Sequence, residues 1–215
     1  MTNQAFGNNN LPPQQTKHRR GGISVTLIVI IVLVVLFALF LISKYNGMVQ
    51  QQEAVNTSWS QVENQYQRRA DLIPNLVETV KGYASHERET LEGVIEARSK
   101  ATSTTIDPSK MTEEQLAKFQ TSQAELSNAL SRLMVVVERY PELKADENFR
   151  QLQAQLEGTE NRITVARKDF NDAAQQYNIT IRRFPNNIVA GIFGFKTRPY
   201  FQALEGADKA PTVKF

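Results

Sequence analysis

The chain has 215 residues, no cysteine, and 25 Lys+Arg against 22 Asp+Glu, a formal net charge of +3. The whole excess lies in residues 1–43, which hold Lys17, Arg19 and Arg20 and no acid, so the rest of the chain is neutral. Disulfides, cysteine-ligated metal, a thiol nucleophile and a lipoprotein lipid anchor are excluded, and with the excess confined to the N-terminal segment the pI near 9.1 is no argument for nucleic-acid binding, which needs a basic face.

Residues 1–22 are rich in Asn, Gln and Pro and end in the basic run Lys17-His18-Arg19-Arg20; they read as a disordered basic arm. Residues 23–42 are apolar except for Ser24 and Thr26. A helix of that length rises about 30 Å, the thickness of a bilayer's hydrocarbon core. A cleavable signal peptide shares the plan of bases before an apolar run. This run is longer than the roughly 7–15 residues of such a peptide, and its exit, Phe40-Leu41-Ile42-Ser43-Lys44, has no small-x-small cleavage site. The segment is therefore read as an uncleaved signal-anchor. Three bases precede it; only Lys44 follows closely, and the next are Arg68 and Arg69. That bias places the N-terminus in the cytoplasm and the large domain outside.

Beyond the span, Tyr45, Met48, Gln52, Val55, Trp59, Val62, Tyr66 and Ala70 step by three and four, a coiled-coil-like stripe on one helix face. At Arg68-Arg69-Ala70-Asp71-Leu72-Ile73-Pro74 the signals change. The two cations suit a helix C-terminus, and Asp71 can cap a new helix that tolerates Pro74 in its first turn. The alternative is one helix kinked at Pro74, since the stripe continues through Ile73, Leu76, Val77 and Val80. Lys81-Gly82-Tyr83-Ala84-Ser85 is a second candidate break. Residues 101–110 form a Ser/Thr-rich loop, and Thr112-Glu113-Glu114-Gln115 matches a capping box. A stripe from Leu116 to Tyr140 follows, stopped at Pro141. Asp146 caps a last long stripe running from Phe149 to Phe184, stopped at Pro185.

With the break at Asp71 the helices are 45–70, 72–102, 113–139 and 147–184. This predicts an all-α fold: a transmembrane helix, then an antiparallel up-and-down bundle of about four long helices over 45–203 and a flexible tail at 204–215. An even helix count returns the chain to the end where it began. There, residues 188–195 are apolar and are followed by Lys196, Arg198, Tyr200 and Phe201. Ile192, Phe193, Phe195, Lys196, Arg198 and Tyr200 are thus candidates for a membrane-interface contact. The competing reading is that the segment caps the bundle.

Little in the chain points to chemistry. His86 stands beside Glu87 and Glu89, but adjacent residues do not share a helix face, so no metal site is assigned. There is no His-Glu-x-x-His, no Gly-x-Ser-x-Gly, and Gly191 and Gly194 lack the Lys of a phosphate loop. No catalytic residue and no cofactor is assigned. Trp59 is read as core, and the glutamines at 50–52 and 151–155 as solvated faces. Arg68, Arg69 and Asp71 are the densest charged cluster at a helix boundary: either a cap with a surface ion pair, worth at most ~1 kcal/mol, or a partner-docking knuckle.

Asp71-Leu72-Ile73-Pro74-Asn75-Leu76-Val77 followed by Lys81-Gly82-Tyr83-Ala84-x-His86-Glu87 resembles the hallmark of the bacterial LemA family. Trp59-Ser60, Gln65, Arg68-Arg69, Glu147-Asn148-Phe149, Leu152-Gln153-x-Gln155-Leu156, Thr159-Glu160, Ile163, Ala166-Arg167, Tyr177-Asn178, Phe184-Pro185-x-Asn187 and Gly194-Phe195 extend the match over about 45–201. The resemblance implies a single-pass membrane protein with a helical-bundle domain, and the span is expected to place it in the bacterial inner membrane. It brings no enzyme activity and no agreed mechanism, and relatives are described in both topologies. Members are often encoded beside membrane metalloproteases or envelope-stress proteins. The expectation is a non-enzymatic scaffold or adaptor of the cell envelope. Its expected partners are the lipid bilayer, envelope proteins such as a membrane metalloprotease, and copies of itself. The alternative is a regulator or sensor of an envelope protease or stress pathway.

Overall fold

The computed structural model describes residues 24–202; the arm at 1–22 and the tail at 204–215 lie outside the described residues. The chain divides into two compact units, Met1–Phe40 and Leu41–Phe215. The described part of the first is the opening of α1, Val25–Tyr83. The Ser24 carbonyl accepts from Leu27 N at 2.8 Å and Ile28 N at 3.2 Å, which closes the first turn. Every large apolar side chain from Val25 to Phe40 is exposed. A helix apolar all round, with its backbone bonded internally, suits a lipid surrounding. It is long and apolar enough to cross a membrane.

The second unit is all helical apart from its turns and its last segment. It contains the remainder of α1, then α2 (Arg88–Ser103), α3 (Glu113–Val137), α4 (Pro141–Ala145), α5 (Glu147–Arg182) and α6 (Asn186–Phe193). The stripe expected on α1 is its buried face, from Met48 through Trp59 and Tyr66 to Val80.

Of the two readings at Asp71, a break or a helix continuing through Pro74, the structure has the second. Asp71 lies inside α1, where its carboxylate accepts from Gln67 Nε2 at 2.7 Å, and Pro74 is a helix-interior residue. Proline has no N–H to give the carbonyl four residues back, which orphans Ala70 O. Arg98 on α2 fills that place: its Nε donates to Ala70 O at 2.7 Å. The helix survives because a neighbouring helix supplies the missing donor. The chain turns instead at the second candidate, where Ala84 N donates to Val80 O at 2.8 Å and Glu87 N to Ala84 O at 3.1 Å.

The later boundaries follow local signals. Thr112 and Gln115 form the reciprocal capping box, with Gln115 N donating to Thr112 Oγ1 at 3.2 Å and Thr112 N to Gln115 Oε1 at 3.1 Å. Asp146 Oδ1 accepts from Phe149 N at 2.8 Å and starts α5. Gly194, at φ +74°, ends α6 in the left-handed conformation that a Cβ disfavours, and Phe195 N then reaches Ala190 O at 3.0 Å. The five-residue α4 was not anticipated; Pro141 pre-sets its first turn.

Two apolar clusters form the core. One joins Ile73 to Val80 of α1 with Leu91 and Val94 of α2, Leu126 and Leu133 of α3, Leu143 and Phe149. The other joins Met48 to Tyr66 with Leu116 and Phe119 of α3 and with Ile163 to Ile181 of α5. Val189, Ala190 and Phe201 also belong to it, with Leu41 packed at its edge. The order of residues through the clusters is that of an up-and-down bundle. Because α2 has only 16 residues, the loop residues Ile106 and Met111 and a C-terminal segment complete the second cluster in its place.

Candidate interaction site at the α6 end of the domain

After Gly194 the chain runs without regular structure to residue 202 and lies along α5 as a strap. Two asparagines of α5 clamp it. Asn178 Nδ2 donates to Arg198 O at 2.8 Å while Arg198 N donates to Asn178 Oδ1 at 2.8 Å. Asn171 repeats the pattern, its Nδ2 donating to Phe201 O at 3.1 Å and its Oδ1 accepting from Phe201 N at 2.8 Å. The spacing is geometric. Seven helical residues and three extended residues both cover about 10 Å, so 171 and 178 match 201 and 198 in an antiparallel strap. Each side-chain amide replaces a strand partner for backbone that would otherwise be buried and unpaired. Arg167 Nη2 and Gln120 Nε2 add donors to Gln202 O, each at 3.1 Å.

The strap brings Phe201 into the aromatic core. Its ring stacks on Trp59 at 5.9 Å and meets Phe170 edge-on at 5.5 Å, and Trp59 meets Phe119 at 5.3 Å. Glu63, one turn after Trp59, is raised above the usual carboxylate range by burial, with the Trp59 indole N–H opposing. At the start of the same unit, Tyr45 packs against Phe193 at 4.9 Å and Phe195 at 5.6 Å.

The residues expected at a membrane interface separate into two groups. Ile192 and Phe193 are 68% and 53% exposed, Lys196 is exposed, and Phe195 is half-buried. Arg198 is only 6% exposed and is withdrawn from any such interface: Nη1 donates to Ser109 O at 2.7 Å and the guanidinium lies 5.8 Å from the Tyr177 ring centroid. Tyr200 is tied back too, its hydroxyl accepting from Asn178 Nδ2 at 2.9 Å. Burial raises the Tyr177 hydroxyl above its ordinary range, with the Arg198 charge opposing. A cleft of about 890 Å³ opens here, with Tyr45, Lys110, Tyr177, Phe195, Lys196 and Arg198 in its wall.

The proposed knuckle at Arg68, Arg69 and Asp71 is not a surface cluster. Arg69 is 2% exposed. Its Nη1 donates to Ser127 Oγ at 3.1 Å and Glu160 Oε2 at 3.0 Å, its Nη2 to Gln123 Oε1 at 2.6 Å, and its cation lies 5.1 Å from the Tyr66 ring centroid. Helix position explains the burial: four residues before Ile73 and three after Tyr66, Arg69 shares their inward face. Arg68 and Asp71 remain exposed. Asn171 has no role in the sequence reading and Asn178 enters it only as part of the Tyr177-Asn178 match; the signal for a clamp was a pair of asparagines two turns apart in a helix interior. Among the described residues, no three of His, Cys, Asp and Glu gather as a metal site would require.

The family model of the LemA family matches residues 58–215. The chain belongs to the LemA family. It is similar to magnetosome protein MamQ 2 of Paramagnetospirillum magneticum, 30% identical over 206 residues, covering 88% of this chain and 76% of the relative. Magnetosome protein MamQ of Magnetospirillum gryphiswaldense is 28% identical over the same extent. Protein LemA of Metamycoplasma hominis is 23% identical over 170 residues, covering 79% of this chain and 74% of that one. LemA membership and, among the described residues, one N-terminal helix able to span a bilayer mark a membrane-associated protein of single-pass pattern.

Proposed function

We propose that this LemA-family chain is a non-enzymatic, membrane-anchored scaffold or adaptor of the bacterial cell envelope. Its span is an uncleaved signal-anchor in the inner membrane, with the N-terminus cytoplasmic and the bundle outside. The bundle presents its faces to envelope partners or to further copies of itself. The observation that carries this reading is how the domain uses its polar side chains. Arg69, Arg98, Asn171, Asn178 and Arg198 all turn inward and bond to the domain's own backbone or side chains. They hold the domain together, and long helices of a domain neutral in net charge remain for association. The relatives' names attach them to the magnetosome or to the family and state no reaction.

The deciding experiment is crosslinking in intact cells followed by solubilisation, purification of the full chain and identification of what travels with it. A reproducible envelope partner or a defined homo-oligomer supports the scaffold. A monomer with nothing enriched counts against it, and turnover in a hydrolase or transferase screen would replace it with an enzyme. A compartment-sensitive reporter fused after Phe215 tests the orientation.

A further inference from the structure

The α6 helix caps the core with one face only. Val189 and Ala190 are buried, while Ile188 and Ile192, one turn apart on the other face, are 55% and 68% exposed. Phe193 and Phe184 add rings that are 53% and 75% exposed. This apolar patch sits in an unusually one-sided electrostatic setting. Residues 173–202 contain Arg182, Arg183, Lys196 and Arg198 and no acid, in a domain that is neutral as a whole. From Ser24 to Gln52 the chain likewise holds Lys44 and no acid. Two acids border the cleft at this end: Asp107, whose carboxylate accepts from Ser109 N at 2.9 Å and feels the Arg198 charge, and Glu113 in the first turn of α3, with Lys110 between them in sequence.

The patch is also tied to the chain's exit from its apolar run. Tyr45, three residues after Ile42, is the residue that Phe193 and Phe195 pack on, and Leu41 of the run itself packs at the edge of the same core cluster. An exposed apolar helix face, ringed by aromatics and arginines and free of acids, matches the chemistry of an anionic bilayer interface.

We propose that α6 and its flanks form a second, peripheral contact with the bilayer that the span crosses. Ile188, Ile192, Phe193 and Phe184 enter the interfacial layer, and Arg182, Arg183 and Lys196 face anionic headgroups. The contact fixes how the domain stands on the membrane, so that its outer faces meet partners at a set height. It rests on the anchored reading above.

The chain has no cysteine, so a single introduced one reports alone. The full-length protein carrying Ile192→Cys, labelled with an environment-sensitive fluorophore, is reconstituted into nanodiscs of phosphatidylcholine alone or mixed with phosphatidylglycerol. Gln176→Cys, exposed on α5 seven residues before Arg183, is the reference. The expected result is a blue-shifted probe at 192 whose ratio of quenching by nitroxide lipid to quenching by aqueous iodide is several-fold above that at 176. The ratio should rise with phosphatidylglycerol, and Arg182→Gln with Arg183→Gln should abolish that rise. A probe at 192 as open to iodide as the one at 176 overturns the proposal. So does a probe shielded from both quenchers in a chain that forms an intermolecular crosslink through position 192, because a second copy then covers the patch. Failure of the protein to insert at all, read by alkaline extraction, would instead sink the anchored reading.

Discussion

Replacing Arg98 by Met tests whether one guanidinium allows α1 to run through Pro74. The substitution keeps most of the aliphatic stem and removes the donor to Ala70 O, a carbonyl on a residue only 3% exposed. A buried acceptor left without a partner costs about 1–3 kcal/mol. Pro74→Ala returns the backbone N–H that Ala70 O lacks and removes the ring's clash with that carbonyl, together worth up to about 3 kcal/mol in a helix interior. Once that N–H is present, Arg98→Met should cost less than about 1 kcal/mol, because the carbonyl no longer depends on Arg98. The two substitutions should therefore couple by about 1–2 kcal/mol in a double-mutant cycle. Denaturant unfolding of the full chain in detergent provides the measurement, with the single tryptophan, Trp59, fully buried and reporting loss of the core. For a domain of this size the Arg98→Met effect corresponds to a drop of about 2–12 °C in Tm. Equal cost of Arg98→Met with Pro and with Ala at position 74 would falsify the donor-replacement account.

Three other outcomes follow from the same contacts. Asn178→Ala strands the Arg198 N–H and carbonyl, about 2–6 kcal/mol if the strap stays in place. Release of the strap gives up the burial of Phe201, worth about 1.5–3 kcal/mol, so the cheaper response is local opening. Hydrogen exchange at residues 198–202 should accelerate with a small change in Tm, and unaltered exchange there would show that the clamp does not hold the strap. Arg69→Met removes the 2.6 Å donor to buried Gln123 Oε1 and should cost about 1–3 kcal/mol. Glu160→Gln, at a 55% exposed side chain that keeps an acceptor, should cost less than about 1 kcal/mol by the same unfolding assay. Burial raises the Glu63 carboxyl, so the folded state holds that proton more readily than the unfolded state, and its contribution to stability falls as pH rises through the window above the ordinary carboxylate value. Glu63→Gln should therefore gain on the parent chain as pH rises from acid through the carboxylate range; a pH-independent difference would count against the assignment.

Sequence alone determined the features that depend on local physics. A twenty-residue apolar run needs no partner to be recognised as long enough for a bilayer. Thr112, Gln115 and Asp146 cap helices through bonds to backbone three residues away, so they are visible in short windows. The apolar stripes likewise gave the inward faces of α1, α3 and α5. Tertiary structure decided what depended on residues far apart in the chain. Whether the chain breaks at Asp71 or runs on through Pro74 stayed open, because the donor that replaces the missing proline N–H, Arg98, lies 24 positions later. Arg69 looked like surface because Gln123, Ser127 and Glu160, its acceptors, come from two other helices. Arg198 looked like a membrane cation until Asn178 and the Ser109 carbonyl were found to hold it. Charged and amide groups take their role from the partner they meet. Those partners become neighbours only when the helices pack.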